Sequence, residues 1–330
     1  MWRQKQRFWP KMNLISGLLF STFLFGGISI NKYVLSVLGF KYPTIFQGWN
    51  TLVGLVVYKM LNIFKKSEYP LTPVDRTGFL SLLPGLLFHT TALIANSKAL
   101  ADLPISVYIA VQNTLPAGIY LLDRVFPGRP PTSPLQGICS ILTLFTGVGL
   151  VIGETSLDFQ DSAYFWIIIG IACSVASTLH SRIADARFTS WDRLYYSSVF
   201  SVIILAPASL YLEEAFLALN FRHDKQGLFL TGCLFSALFT ASFNIYTVRL
   251  KEDEYFGLLL NMASAGTAVL SIFLFSADLK WWQWTLIGVN LVTTVPLPAH
   301  QGRDDDLQPV GVLQGAAYKP LSQQEGVILQ

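Results

Sequence analysis

The sequence predicts an all-α membrane protein with ten transmembrane helices, arranged as two inverted five-helix halves with both termini in the cytoplasm. Its 330 residues are 52% hydrophobic and only 13% charged, and the mean hydropathy is +0.48. Soluble domains carry roughly a quarter charged residues, so this composition argues against a water-soluble globule. The apolar residues also come in blocks of membrane-crossing length, and the basic residues divide unevenly between the two sides.

Ten apolar segments follow one another along the chain, and each approaches the roughly 20 residues with which a helix crosses a bilayer. They cover residues 14–38, 42–61, 78–98, 103–122, 133–152, 163–180, 195–217, 227–248, 257–275 and 281–298. The first segment follows a basic stretch, but it is long and no small-residue cleavage site follows it. We therefore interpret it as a retained span rather than a signal peptide.

The distribution of lysine and arginine predicts the orientation. Basic residues near the ends of spans stay in the cytoplasm. With ten spans, 17 of the 23 lysine and arginine residues lie on one side and six on the other. Both termini belong to the side that is rich in basic residues, so both are predicted to be cytoplasmic.

The same spans divide the chain into five regions. A basic cytoplasmic N-terminus (1–13) precedes the first five-helix half (14–152), and an acidic lumenal connector (153–162) leads into the second half (163–298). A polar tail (299–330) cannot bury a core and is predicted to be disordered in the cytosol. Because five is odd, the second half enters the membrane from the opposite face, a transporter design that places a substrate cavity near the midplane.

Charged residues within spans are candidates for a polar cavity, since a charge at the bilayer centre costs roughly 3 kcal/mol. Lys32 lies in span one and Lys98 at the end of span three. Each lysine either contributes to the cavity or extends its ammonium group to the lumenal interface. The sequence leaves both interpretations open.

Span four carries a polar group near its centre. Tyr108 and Gln112 are four residues apart and share one helix face, where a ring and an amide could hold a base or ribose. Asn113 follows them, and Pro116 predicts a kink nearby. Hydrogen bonding between helices is an equally good explanation of the two amides.

Span seven begins with consecutive aromatic and hydroxyl residues. Tyr195 and Tyr196 enter the membrane beside Ser197 and Ser198. Tyrosine rings can stack on bases, so these four residues are candidate ligand contacts. Tyrosines are also enriched at membrane interfaces, and that alternative stays open.

Spans eight and nine add further polar residues. Asn244 lies in span eight, with Arg249 at its cytoplasmic boundary, and Asn261 and Ser264 lie in span nine. We take Asn244, Asn261 and Ser264 as candidate binding residues. Close helix packing is the alternative explanation for the small residues of span nine.

Other classes of function find little support. His89 and His180 are isolated, so no metal site is predicted, and the three cysteines lie in apolar blocks. Paired intramembrane aspartates, a serine–histidine pair and a P-loop are all missing from the sequence. The chain is expected to be neither an enzyme nor a nucleic-acid binder, and no cofactor is expected.

Two polar-rich segments of the first four spans are NKYVLSVLGFKYPTIFQGWNTLVG (31–54) and NSKALADLPISVYIAVQNTLPA (96–117). They resemble the GDP-mannose-transporter branch of the nucleotide-sugar transporters, within the drug/metabolite transporter superfamily. The resemblance covers nearly all of residues 14–298. It implies ten helices, cytoplasmic ends and residence in the Golgi membrane, with the endoplasmic reticulum as the alternative.

Family motifs map onto this sequence with substitutions. The aromatic-Tyr-Asn-Asn motif that reads the nucleotide falls on residues 195–198, where serines replace both asparagines. The Gly-Ala-Leu-Asn-Lys motif falls on 260–264, and its lysine is Ser264. The family's Tyr-Thr-Ile-Phe-Lys-Asn resembles 108–113, with Gln112 in place of lysine.

The resemblance implies exchange of a cytosolic nucleotide-sugar for a lumenal nucleoside monophosphate, which supplies glycosylation. The motif substitutions leave UDP-N-acetylglucosamine, another UDP-sugar and GDP-mannose open as cargo, with Lys32, Lys98 or Arg249 as replacement charges. The expected partners are the nucleotide-sugar, the monophosphate and the lipid bilayer, and homodimerisation is left open. The alternative is a multispan scaffold or trafficking factor that retains the fold without transporting.

Overall fold

A computed structural model describes residues 14–125, 133–153, 163–184, 187–221, 226–251, 253 and 255–297. Within these residues the secondary structure is helical, with no strand. The predicted basic N-terminus, nearly all of the acidic connector and the predicted disordered tail lie outside the described residues.

The described part of the chain forms a succession of helices that follows the predicted spans. Their bounds are α1 Leu14–Lys32, which continues as a π-helical turn over Tyr33–Val37, α2 Pro43–Phe64, α3 Arg76–Asp102, α4 Ile105–Gln112, α5 Thr114–Val125, α6 Pro134–Ile152, α7 Ala163–Ile183, α8 Ser190–Tyr211, α9 Glu214–Leu219, α10 Gln226–Leu250, α11 Phe256–Leu274 and α12 Trp281–Thr294.

Eight segments in the described residues are long and apolar enough to cross a membrane: α1 with its π turn, α3, α4 with α5, α6, α7, α8, α10 and α11. The chain is therefore a multi-pass membrane protein. Helices α2 and α12 form where spans two and ten were expected, but they are not among the eight. Helix α2 buries the polar residues Gln47 and Asn50, and α12 has 14 residues, fewer than the roughly 20 of a full span. The ten-span count and the orientation remain predictions.

Span four is broken near its centre, as Pro116 predicts. Helix α4 ends at Gln112 and α5 begins at Thr114. Proline has no backbone N–H and therefore cannot donate to the carbonyl four residues earlier, which here is that of Gln112. The backbone N–H of Asn113, at the break, donates to the carbonyls of Ile109 and Val111.

Span seven has different bounds from the predicted 195–217. Helix α8 begins before Tyr195 because Thr189 and Asp192 form a capping box that starts the helix at Ser190. It ends at Tyr211, because Glu213 adopts a left-handed conformation (φ 59°) that a continuous helix does not allow. The sequence pattern missed both boundaries because it followed hydrophobicity alone.

The helix pairing has an internal correspondence. Helix α3 packs along α7 and α1 packs along α10, while α2 pairs with α8 and α6 with α12. If spans one to five are exchanged with spans six to ten, the α3–α7 pair becomes the α10–α1 pair. The other two pairs map onto themselves. Two related halves give this pattern, which supports the prediction of two five-helix halves.

Candidate functional site

The candidate residues lie towards the two ends of the helix bundle and at its centre. We call the end where α2 ends and α8 begins the predicted cytoplasmic end, because the basic residues place it there. The end where α2 begins and α8 ends is the predicted lumenal end. A helix rises about 1.5 Å per residue, so the 22 residues of α2 separate these ends by about 33 Å.

Four candidate residues lie on the first turns of α8. The rings of Tyr195 and Tyr196 meet edge to face, with centroids 5.5 Å apart. The hydroxyls of Ser197 and Ser198 both donate to the carbonyl of Leu194, at 3.0 and 2.9 Å. The hydroxyl hydrogens of the two serines are therefore bound within the helix.

A loop segment is tied to the start of α8 through Thr72. The backbone N–H and the hydroxyl of Thr72 donate to the carboxylate of Asp192 at 2.8 and 2.9 Å, and the Tyr196 hydroxyl donates to the Thr72 carbonyl at 2.5 Å. Asp192 is fully buried. Sequence reasoning missed Asp192, although threonine followed three residues later by an acid, just before an apolar run, signals a capping box.

Asn244 of α10 lies beside the aromatic residues of this end. Its amide nitrogen donates to the hydroxyl of Tyr58 on α2 at 3.2 Å. The Tyr58 ring packs against Trp191 at 5.6 Å, and the half-buried Tyr195 packs against the same cluster. The structure thus places two candidate residues from different spans, Asn244 and Tyr195, against one aromatic cluster. That cluster contains Tyr58, which sequence reasoning did not select.

A cavity of about 210 Å³ lies between α3, α7 and α8 near the predicted cytoplasmic end. Ser197 borders it together with His89, His180 and Arg193. Small-molecule pockets usually measure roughly 300–1,000 Å³, so this volume suits only part of a nucleotide-sugar. The cavity joins a candidate residue to two histidines that lack metal-site spacing in the sequence.

Lys32 lies at the predicted lumenal end and is buried, with 6% of its surface exposed. Its ammonium donates to the carbonyls of Ala101 and Leu103, both at 2.9 Å, where α3 ends. A lysine near a helix C-terminus satisfies carbonyls that have no partner within the helix. Lys32 also lines a cavity of about 340 Å³ with Asp102 and Ser106. The lysine therefore caps α3 from inside the bundle.

The remaining candidates of spans three and four lie between α3, α4 and α7. The Lys98 ammonium lies 4.1 Å from the centre of the Trp166 ring, a cation–π contact. Gln112 donates to the amide oxygen of Asn96 at 2.7 Å, and Tyr108 is half-buried on the same face of α4. At Gly170 of α7, a side chain would collide with the Asn96 amide oxygen. The glycine therefore allows this close approach.

Asn113 and Asn261 each bond to residues at the C-terminal half of the last helix. The Asn113 amide donates to Asn290 at 3.0 Å. The Asn261 amide donates to the carbonyls of Thr294 and Leu297, at 2.9 and 2.8 Å, where α12 ends. The half-buried Ser264 lies about one turn further along α11. Within the described residues, none of these three candidates forms a hydrogen bond to the candidate residues of α8.

The sequence was compared with known proteins. No protein-family model matches it. It is 30% identical over 238 residues to a Xenopus laevis protein named UDP-N-acetylglucosamine transporter TMEM241 homolog, covering 72% of this chain and 79% of that protein. A mouse protein named UDP-N-acetylglucosamine transporter TMEM241 is 31% identical over 72% of this chain and 78% of its own length. The chain belongs to the nucleotide-sugar transporter family.

A more distant member of the nucleotide-sugar transporter family supports the same assignment. A Pyricularia oryzae protein named GDP-mannose transporter is 21% identical over 81% of this chain and 73% of its own length. The named relatives are transporters rather than enzymes. Family membership confirms the resemblance found in the sequence.

Proposed function

We propose that the chain carries UDP-N-acetylglucosamine, or another UDP-sugar, from the cytosol to the lumen of the Golgi, in exchange for a lumenal nucleoside monophosphate. The observation that carries the proposal is the 30–31% identity, over 72% of the chain, to two proteins named UDP-N-acetylglucosamine transporters. The endoplasmic reticulum is the alternative membrane. The delivered sugar would supply glycosylation there.

The arrangement of polar residues supports a path through the bundle. Aromatic and amide groups cluster around Tyr195 and Asn244 at the predicted cytoplasmic end, and the buried Lys32 borders a cavity at the other end. Between them, span four is interrupted at Asn113, close to the middle of its length. Interrupted spans near the midplane are common at transporter binding sites, where the break exposes backbone groups to the substrate.

The α8 residues favour a uracil nucleotide over a guanine nucleotide. In the family motif, two asparagines read the nucleotide of GDP-mannose, and here Ser197 and Ser198 replace them. The hydroxyl hydrogens of these serines bond to the Leu194 carbonyl. The two amides that suit guanine are therefore replaced by groups with fewer donors and acceptors.

A ligand panel tests the proposal. The full-length protein, purified in detergent, is heated with an excess of UDP-, GDP- or CMP-sugars. A ligand that binds the folded state raises the free energy of unfolding by mass action, by about 2.7 kcal/mol at a ligand concentration of 100 times the Kd. The melting temperature rises accordingly. We expect UDP-N-acetylglucosamine or another UDP-sugar to give the largest rise. A stabilisation by GDP-mannose that exceeds that of every UDP-sugar would contradict the proposal.

The second candidate is a membrane scaffold or trafficking factor that retains the fold. It is favoured by the protein contacts of several candidate residues, since Asn113, Asn261 and Lys32 all bond to other parts of the chain. This candidate predicts that no nucleotide-sugar stabilises the protein. It also predicts that Tyr196→Ala and Lys98→Ala variants bind partner proteins as the wild type does, measured by co-purification.

A further inference from the structure

Asn244 is half-buried, whereas Asn261 and Asn290 are buried. Both Asn261 bonds come from its amide nitrogen, and the Asn290 amide nitrogen bonds to Thr143 and Thr146. Asn244 donates to Tyr58, yet within the described residues its amide oxygen has no hydrogen-bond partner. An amide has two donors and an oxygen acceptor. One donor and the acceptor of Asn244 therefore remain available.

This available amide lies within a membrane segment, where polar groups usually face a cavity or a partner. Asn244 is half-buried, so part of its surface remains accessible. Tyr58 and Asn244 both lie about 9 Å from the ends of their helices at a rise of about 1.5 Å per residue, and Tyr195 lies at a similar depth in α8. The amide and the rings therefore share one level near the predicted cytoplasmic end.

Tyr58 holds the amide in a defined orientation. Its ring is 2% exposed and packs against Trp191, so the hydroxyl position is fixed by the core. The hydrogen bond between the Asn244 amide and that hydroxyl, at 3.2 Å, holds the end of the Asn244 side chain in place. A fixed amide can recognise a ligand edge that carries one donor beside one acceptor.

We propose that Asn244 reads the uracil base of the transported nucleotide, with Tyr58 as the residue that positions it. The Asn244 oxygen accepts from the uracil N3–H, and its second N–H donates to the uracil O4. The half-buried ring of Tyr195, in the same cluster as Tyr58, provides the face on which the base stacks. The inference rests on the proposed function, and it assigns the base specificity of that same site.

A guanine base does not satisfy this arrangement. Guanine presents an acceptor, a ring N–H and an exocyclic amine on the corresponding edge, and the amine needs a further acceptor. One amide cannot serve all three groups, and a polar group that is buried without a partner weakens binding. The Asn244–Tyr58 pair therefore discriminates by leaving the guanine amine unpaired.

The test uses the full-length protein in detergent with two probes, UMP and GMP. Apparent affinities come from melting temperature against nucleotide concentration. We expect the wild type to prefer UMP and Asn244→Ala to lose about tenfold in UMP affinity, with little change for GMP. Tyr58→Phe should lower the UMP preference by about threefold, because the amide is no longer oriented. Asn244→Asp should shift the preference towards GMP, since two carboxylate oxygens accept from the ring N–H and the amine.

Matched controls separate recognition from packing. Tyr120→Phe removes the hydroxyl of another tyrosine that is buried, with 1% of its surface exposed, and Asn290→Ala removes an amide that serves helix packing. Both should keep the wild-type ratio of UMP to GMP affinity, whatever happens to their melting temperatures without ligand. If Asn244→Ala and Asn244→Asp keep the wild-type ratio of UMP to GMP affinity, the assignment of base recognition to Asn244 is overturned while the proposed function stands. If the wild type binds neither UMP nor any UDP-sugar, the proposed function itself fails.

Discussion

Glu214 closes the N-terminus of α2 from across the bundle. Its carboxylate accepts from the backbone N–H groups of Thr44 and Ile45 at 2.9 and 3.1 Å, and from the Thr44 hydroxyl at 3.1 Å. The first N–H groups of a helix have no partner within the helix, and the helix dipole favours a negative charge there. The segment that follows α8 is thereby bonded to the start of α2.

The opposite end of the same helix pair repeats this relationship. There Asp192, at the start of α8, accepts from Thr72, which belongs to the segment that follows α2. Each helix of the α2–α8 pair is therefore bonded at its N-terminus to the chain beyond the other helix. Because the pair maps onto itself when the two halves are exchanged, we expect it to stay together while other helix pairs change during transport.

Removal of the Glu214 carboxylate should destabilise the start of α2. Glu214→Ala leaves two backbone N–H groups and the buried Thr44 hydroxyl without their acceptor, and the expected loss is about 1 to 2 kcal/mol. The measurement is the melting temperature in detergent. Glu68→Ala, which removes a carboxylate from a partly exposed pair with Lys65, is the control and should have little effect. Equal melting temperatures for the two variants would argue against the role of Glu214.

Asp192→Asn should weaken the attachment of the α2–α3 segment to α8. One carboxylate oxygen accepts from the Thr72 N–H, and the other accepts from the Thr72 hydroxyl and from the N–H and hydroxyl of Thr189. An asparagine amide would turn its nitrogen towards one of these two sets of donors. We expect a loss of about 2 kcal/mol and faster proteolysis around Thr72. The exposed Asp278→Asn serves as the control. Wild-type proteolysis and stability in Asp192→Asn would show that the attachment contributes nothing.

Arg182 and Asp123 form a buried ion pair that joins the ends of α7 and α5. The two guanidinium nitrogens lie 2.5 and 3.3 Å from the two carboxylate oxygens, and the side chains are 10% and 9% exposed. Breaking a buried pair from one side leaves an uncompensated charge and costs about 3 to 5 kcal/mol. Arg182→Met and Asp123→Leu should each lower the melting temperature, and the double variant should recover most of the loss. Additive losses would contradict direct pairing.

The start of α3 should lose stability in acid. Asp75 caps this helix outside the membrane, and the hydrogen bond from the Gly78 N–H, with help from Thr77 and Arg187, lowers its pKa below the usual 3.8. A lowered pKa means that the cap stabilises above pH of about 4 and is lost as the pH falls through the folded-state value. Asp75→Ser keeps a capping oxygen without a charge. Melting temperatures between pH 6 and 3 should fall more for the wild type than for this variant, and parallel curves would refute the account.

The sequence predicted the helices better than the contacts of their polar residues. Apolar blocks located most of the helices to within a few residues, although not the bounds of α8, and Pro116 predicted the break in span four. Asn113 was selected because an amide in a span needs a partner, but that partner, Asn290, lies 177 residues away. Such a pairing depends on how distant helices pack, which a single sequence does not specify.

Asp192 illustrates the converse problem. Its charge placed it outside span seven by hydropathy, yet it is fully buried because Thr72 and Thr189 surround its carboxylate with donors. Likewise Tyr58 had no distinguishing sequence signal in a chain that is 14% aromatic. Only the packing of α2 against α8 and α10 placed its hydroxyl beside Asn244.

Counter-transport tests the central claim most directly. The full-length protein is reconstituted into liposomes, and uptake of radiolabelled UDP-N-acetylglucosamine is compared between vesicles preloaded with UMP and vesicles that are empty. We predict uptake that depends on protein, is accelerated by internal UMP and is inhibited by external UMP more strongly than by GMP. Equal uptake with and without the protein, for UDP-N-acetylglucosamine and for every other UDP-sugar, would contradict the account.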